Sequence, residues 1–198
     1  LLPMTKIENG IQSIHLSNDN FEDSARAIMT TDSVPKISSI NRYGVTLSGI
    51  AKGAGMLAPA LATMLSIVMT DAKFDEDFAE QIFKETVERT FNRIDSDGCT
   101  STNDTVLFMA SGASGVTLDN SQLADMLGEV CKSLAEQLIA DAEGASKTIA
   151  IKVINAATED DLVDLVEAWE LRQKKAGPTK EPMHKAKKIK ELINLKNA

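Results

Sequence analysis

An α+β fold follows from three observations on this 198-residue chain. Two long segments, Asp75 to Ile94 and Leu118 to Ile139, place apolar side chains at three- and four-residue steps, the period of a helix with one buried stripe. Short apolar or alternating runs of strand type stand between and beside them. The clearest is Lys147-Thr148-Ile149-Ala150-Ile151-Lys152-Val153-Ile154, polar and apolar by turns, as a half-buried strand requires. Long helices mixed with a few strands bury their apolar sides when helices cover sheet layers.

Residues 20–29 read as a short helix, with Phe21, Ala25 and Ile28 on one face and acids in the first turn, where the helix dipole favours them. Thr30-Thr31-Asp32-Ser33-Val34-Pro35 breaks it, and Pro35 pushes Val34 toward an extended conformation. Val45 to Ile50 alternates like a strand. Met64-Leu65-Ser66-Ile67-Val68-Met69 suits a buried strand, although its period alone fits a helix as well. The Asp75–Ile94 helix carries Phe78, Ile82, Phe83, Val87 and Phe91 on its stripe, and the turn Asp95-Ser96-Asp97-Gly98 ends it. Val106 to Ala110 is a short strand, and Gly112 to Gly115 a loop. The second long helix carries Leu123, Leu127, Val130, Leu134 and Leu138. Glu159 to Lys175 is expected to be helical, stopped by Gly177-Pro178. From Pro182 onward the Lys-rich end reads as a marginal or frayed helix.

Charge limits the function classes. A net −8 argues against nucleic-acid binding by the chain as a whole. The exception is the end: from Leu171 onward nine Lys/Arg face only Glu181 and Glu191. That tail reads as a solvated basic face. Cys99 and Cys131 are too few for a disulfide framework, so a reducing, cytoplasmic setting is expected. No apolar run approaches a membrane span, and the first residues lack the basic start and apolar core of a secretory signal.

One run carries chemistry. Lys52-Gly53-Ala54-Gly55-Met56-Leu57-Ala58-Pro59-Ala60-Leu61-Ala62-Thr63-Met64-Leu65 is a small, glycine-rich approach to an Ala-Thr bond, followed by a strand-like stretch. A self-cleaving N-terminal nucleophile has this form before cleavage. Cutting Ala62–Thr63 frees an α-amine whose pKa, about 7.7–8.0, suits a general base near neutrality. Thr63 then supplies both nucleophile and base. Taken alone, the same run also fits a glycine loop leading into a buried strand. Other motifs fail. Asp95-x-Asp97-Gly98 lacks the ligands of a calcium loop, with Cys99 at the third ligand position and Val106 at the twelfth residue, where a bidentate Glu is needed. Gly53-Ala54-Gly55 is not a dinucleotide fingerprint, and no phosphate-binding Gly-Lys-Ser/Thr string occurs. His15 and His184 have no partner at zinc spacing.

Four strings together resemble the ornithine acetyltransferases, the bifunctional glutamate N-acetyltransferase family of arginine biosynthesis. They are Met29-Thr30-Thr31-Asp32, the Ile50-to-Met56 run with Ala62-Thr63-Met64-Leu65, Asp95 to Leu107, and Asp141-Ala142-Glu143-Gly144-Ala145-Ser146-Lys147. The resemblance extends to about Asp160; Leu162 to Glu170 does not match the family's Asp-Pro-Asn-Trp-Gly-Arg segment. It implies a layered sheet-and-helix sandwich of N-terminal-nucleophile type. It divides the chain into residues 1–62, the end of an α-chain-like part; 63–160, the start of a β-chain-like part; and 161–198, a divergent basic helical tail. The implied reaction moves acetyl from N-acetylornithine to glutamate through acetyl-Thr63, after self-cleavage at Ala62–Thr63, with no metal or organic cofactor. Thr30, Lys52, Thr63 and Glu143 match substrate-contacting positions, Lys52 pairing with a carboxylate and Glu143 with an ammonium. The implied partners are these amino acids and the α and β chains of one precursor in a hetero-oligomer; neither nucleic acid nor membrane is expected. Whether acetyl-CoA is also a donor stays open. The rival readings are a non-catalytic fragment or interaction module, and an N-terminal-nucleophile amidase that delivers the acyl group to water.

Overall fold

A computed structural model describes residues 2–15, 17, 20–54, 64–95, 103–143, 147–154 and 186–193. Helices α1 (Met4–Gln12) and α2 (Phe21–Ala27) come first. The strands β1 (Lys36–Arg42), β2 (Val45–Lys52), β3 (Leu65–Thr70) and β5 (Thr105–Ala110) form a four-stranded sheet in the order β1-β2-β3-β5. Helix α3 (Glu76–Arg89) connects β3 to β5, and α4 (Asn120–Ala140) follows. A second sheet has the order β4-β7-β6, from Ile94–Asp95, Ala186–Ile193 and Lys147–Ile154.

β1 and β2 form a tight antiparallel hairpin, Arg42 opposite Val45. Its two turn residues, Tyr43 and Gly44, have φ of +57° and +79°. Two positive φ values in a two-residue loop match the right-handed twist of the flanking strands. β2 pairs antiparallel with β3, and β3 parallel with β5. A parallel pair needs a crossover, which α3 supplies.

Alternation along the strands sorts the side chains. On β2, Val45, Leu47 and Ala51 are buried toward α4. A Cβ at Gly49, in the same row, would lie 2.8 Å from Leu134 Cδ1, 3.3 Å from Val130 Cγ1 and 3.4 Å from the Ile67 carbonyl oxygen. The absent side chain is what lets α4 sit close against the sheet. α4 buries Leu123, Met126, Leu127, Val130, Cys131, Leu134, Ala135, Leu138 and Ile139, so the stripe read from sequence is its core face, with neighbours added. Its start is fixed by a capping box between Asp119 and Gln122. Below α3, Phe108 of β5 stacks on Phe74 at 5.4 Å and packs at a tilt on Phe83, also at 5.4 Å. The other sheet face carries Ile37, Ile50, Lys52, Leu65, Ile67 and Met69 toward the open edge of Leu107 and Met109, which are 45% and 49% exposed.

Several expectations are revised. The helix read over Asp75–Ile94 ends at Arg89: Thr90 leaves helical geometry at φ −121°, Phe91–Arg93 make one 3-10 turn, and Ile94 begins β4. Phe78 lies off the buried face, 49% exposed. The basic end, read as a marginal or frayed helix, forms strand β7 over Ala186–Ile193, because it pairs parallel with β6 and antiparallel with β4. Backbone pairing on both sides overrides a weak local helix preference. α1 and β1 were not anticipated. The helix expected over Glu159–Lys175 lies outside the described residues.

Gly49→Val is expected to destabilise the protein by about 1–3 kcal/mol through overpacking against α4. Urea unfolding of the variant beside the parent measures this; an unchanged midpoint would mean that α4 does not pack here.

Candidate functional site

Three of the four matched strings meet around one buried ammonium. Lys36, at the start of β1, is 0% exposed, an unusual place for a lysine. Its Nζ donates to Asp32 Oδ1 at 2.6 Å and to Asp141 Oδ2 at 2.7 Å, and lies 3.3 Å from the Val34 carbonyl oxygen. Asp32 belongs to the loop after α2, and Asp141 caps the end of α4. The pairing joins residues 105 apart in sequence.

One ammonium between two carboxylates leaves a net negative charge, which backbone N–H groups satisfy. Gly53 N–H donates to Asp32 Oδ1 at 2.6 Å, Thr30 N–H to Asp32 Oδ2 at 3.1 Å, and Ser33 N–H to Asp141 Oδ2 at 2.8 Å. Such charge-assisted bonds are about twice as strong as neutral ones. Burial works to raise the Asp32 carboxyl, but the Gly53 N–H, Lys36 and the Thr30 N–H outweigh it and hold the group below its ordinary value. Burial likewise opposes ionisation of Asp141, and Lys36 and Ser33 overcome it.

The candidate residues hang on this cluster. Thr30 is exposed, with its backbone bound to Asp32. Gly53, next to Lys52, has φ +145°, a conformation that glycine adopts without side-chain strain. Asp32 thus holds the backbone where the glycine-rich approach leaves β2. Glu143, two residues past Asp141, is exposed, and its N–H donates to the Ala54 carbonyl oxygen. Lys52 ends β2 on the sheet face away from α4. The residue is only 8% exposed, its ammonium pairs with no described residue, and the nitrogen therefore keeps contact with solvent. A cation in that setting is suited to an anionic group brought from outside.

Ala62 and Thr63 lie outside the described residues. The next residue, Met64, is fastened on both sides: its N–H donates to Asp104 Oδ1 at 2.6 Å, and its carbonyl accepts from the Thr105 N–H at 3.0 Å. Asp104 belongs to the fourth matched string. Cys131 is excluded as a nucleophile, since burial in α4 pushes its thiol up to about 12. Cys99 lies outside the described residues. Sequence reading missed the roles of Asp32, Lys36 and Asp141. Two of them stood inside matched strings, but nothing local marks Lys36 as the residue that joins them.

Because both carboxyls titrate lower in the folded state than in the unfolded chain, folding releases protons, and stability rises with pH through this range. The contribution is complete above the unfolded aspartate value of about 3.9 and is lost as pH falls below it. Asp32→Asn should flatten this part of the stability–pH curve, read by thermal unfolding between about pH 2 and pH 5. Lys36→Met should cost about 3–5 kcal/mol, because it leaves two buried carboxylates without their cation.

Comparison with known proteins gives the same assignment as the strings. A family model, that of the ArgJ family, matches residues 1–168, running past Asp160. The chain is 51% identical over 167 residues to the arginine biosynthesis bifunctional protein ArgJ of Streptomyces avermitilis, covering 83% of this chain and 44% of that protein. The ArgJ of Thermobifida fusca is 51% identical over 164 residues, with 82% and 43% covered, and that of Mycobacterium leprae 48% over 165, with 81% and 40%. The chain therefore spans less than half the length of these relatives. With about half of the aligned positions identical and the family match beginning at residue 1, the chain belongs to the ArgJ family.

Proposed function

We propose that this chain is the central part of an acetyltransferase that moves the acetyl group of N-acetylornithine to glutamate through an acetyl-Thr63 ester, after self-cleavage at Ala62–Thr63. The observation that supports the reading is that the three segments bearing Thr30, Lys52 and Glu143, far apart in the chain, are fastened to one another by backbone N–H bonds around the Lys36 cluster. Lys52 supports it further as a largely covered side chain whose ammonium pairs with no described residue and so keeps contact with solvent. Family membership and the relatives' shared name, arginine biosynthesis bifunctional protein, point the same way.

In the cleavage step the Thr63 hydroxyl attacks the Ala62 carbonyl, the peptide C–N bond breaks, and the threonine nitrogen takes the proton. Water then hydrolyses the ester, leaving a carboxylate on Ala62 and restoring the Thr63 hydroxyl beside the α-amine that the first step freed. In the transfer step that amine takes the hydroxyl proton as oxygen attacks the acetyl carbonyl. Ornithine leaves with the proton on its nitrogen, and the acetyl stays on Thr63 oxygen. The glutamate amine attacks that ester, and the hydroxyl recovers its proton. Lys52 pairs with a substrate carboxylate and Glu143 with a substrate ammonium; Thr30 borders the same site. No metal or organic cofactor takes part in this scheme.

The reading includes the finer fold and assembly. The second sheet face, with Ile37, Ile67, Met69, Leu107 and Met109, has the apolar character expected of a layer covered by more sheet. It fits a sheet-and-helix sandwich of N-terminal-nucleophile type, with residues 1–62 closing an α chain, 63–160 opening a β chain and 161–198 a divergent basic end. The two chains of the precursor would stay together in a cytoplasmic hetero-oligomer. No described helix is long and apolar enough to cross a membrane.

Intact mass spectrometry of the purified protein should find two chains divided at Ala62–Thr63, and an added acetyl on the Thr63 fragment after exposure to N-acetylornithine. Thr63→Ala should abolish both. Lys52→Met should weaken substrate binding about 10- to 100-fold, the worth of a charge-assisted contact, read as KM in an ornithine–acetylornithine exchange assay. An uncleaved chain that still exchanges acetyl would sink the mechanism, and release of acetate to water instead of transfer to glutamate would make the protein an amidase.

A further inference from the structure

The Lys36 cluster lies beside the backbones that carry the candidate substrate residues. Its three members fasten three backbones. Asp32 holds the Gly53 N–H, one residue from Lys52, and the N–H of Thr30 itself. Asp141 holds the Ser33 N–H and stands two residues before Glu143, whose own N–H is bound to Ala54. Lys36 ties Asp32 to Asp141. The backbones that carry Lys52 and Glu143 are therefore joined twice, directly by the Glu143 N–H on Ala54 and through the Lys36 ammonium between Asp32 and Asp141.

We propose that Lys36 is a positioning residue that fixes the spacing of Lys52 and Glu143, and so tunes the site to an amino acid carrying a carboxylate at one end and an ammonium at the other. This rests on the substrate site proposed above. The argument is geometric. Lys52 and Glu143 sit on different elements, the end of β2 and the segment after α4, and both have long, flexible side chains. Two such groups grip one ligand well only if their backbones are held at a constant distance, which is the work of supporting hydrogen bonds. A strand end and a helix end joined only by apolar packing could slide; the Asp32–Lys36–Asp141 bridge, with N–H donors on both carboxylates, resists that. Misplacement of such groups by about 1 Å can cost on the order of a hundredfold in rate.

A plain strut would have another signature. Arg42 supplies the comparison, since it joins β1 to α4 at the opposite end through Asp125 at 2.6 Å and Glu129 at 2.7 Å, far along both elements from Lys52. The test compares Asp141→Ala, which removes the oxygen that Ser33 and Lys36 share, with Asp141→Asn, which keeps one, and with Lys36→Met and Arg42→Ala. Wild type and variants are assayed in the whole cleaved protein for kcat/KM with N-acetylornithine and glutamate, and for melting temperature. The expected result is a kcat/KM roughly tenfold or more lower for both substrates in Asp141→Ala, with Ala62–Thr63 still cut, while Asp141→Asn recovers most of it and Arg42→Ala keeps it. If Lys36→Met fails to fold, the Asp141 pair decides alone. A kcat/KM unchanged in Asp141→Ala, whatever its melting temperature, overturns the positioning role and leaves the acetyltransferase reading standing. A wild-type protein that neither cleaves nor exchanges acetyl overturns that reading, and the positioning role with it.

Discussion

A lysine ammonium with no access to solvent is the constraint around which this molecule is arranged. Lys36 is tolerable there only because Asp32 and Asp141 both accept from it, and those carboxylates are tolerable only because Thr30, Ser33 and Gly53 turn their N–H groups toward them. Each charge in the set requires the others, since a buried charge deprived of its partner is far more costly than an exposed one. The loop after α2, the end of β2 and the end of α4 are thus coupled electrostatically as well as by packing. The segments that bear Thr30, Lys52 and Glu143 are these three.

The apolar core makes that convergence geometrically available. Leu134 and Val130 of α4 reach the sheet at Gly49, where a side chain would hold the helix off. β1 lies at the edge next to β2, so the same register that sets Leu47 toward α4 also sets Lys36 toward the helix's last turn. The core supplies most of the favourable free energy, but it is non-directional. The ion cluster supplies direction, because hydrogen bonds hold particular atoms at particular distances. Lys52 benefits from both: the strand places its side chain on the second sheet face, and the Asp32–Gly53 bond fixes the chain where it leaves β2.

The two long helices were legible because their buried stripes repeat within a few residues. In α4 every stripe residue read from the sequence is buried, and the Asp119–Gln122 box marks its start. The long reading of α3 failed at Thr90, where the stripe continued into Phe91 although the backbone had left the helix. β1 was invisible to the same reasoning: Lys36 and Ser38 occupy the row facing α4, so its alternation does not look like an apolar face. β7 escaped because its lysines suggest a solvated helix, whereas its state is settled by β4 and β6 on its two sides.

The site divides in the same way. The amino-acid sequence carried the family strings, the Ala62–Thr63 bond with its glycine-rich approach, and the candidates Thr30, Lys52 and Glu143. These are local patterns, legible wherever a short run has the needed chemistry. The Lys36 bridge was not in any run. Lys36 and Asp141 are 105 positions apart, and no rule of spacing relates one side chain to another at that distance. Which charge is buried, and which partner meets it there, depends on the sheet register and on where α4 ends, and those are properties of the folded chain alone.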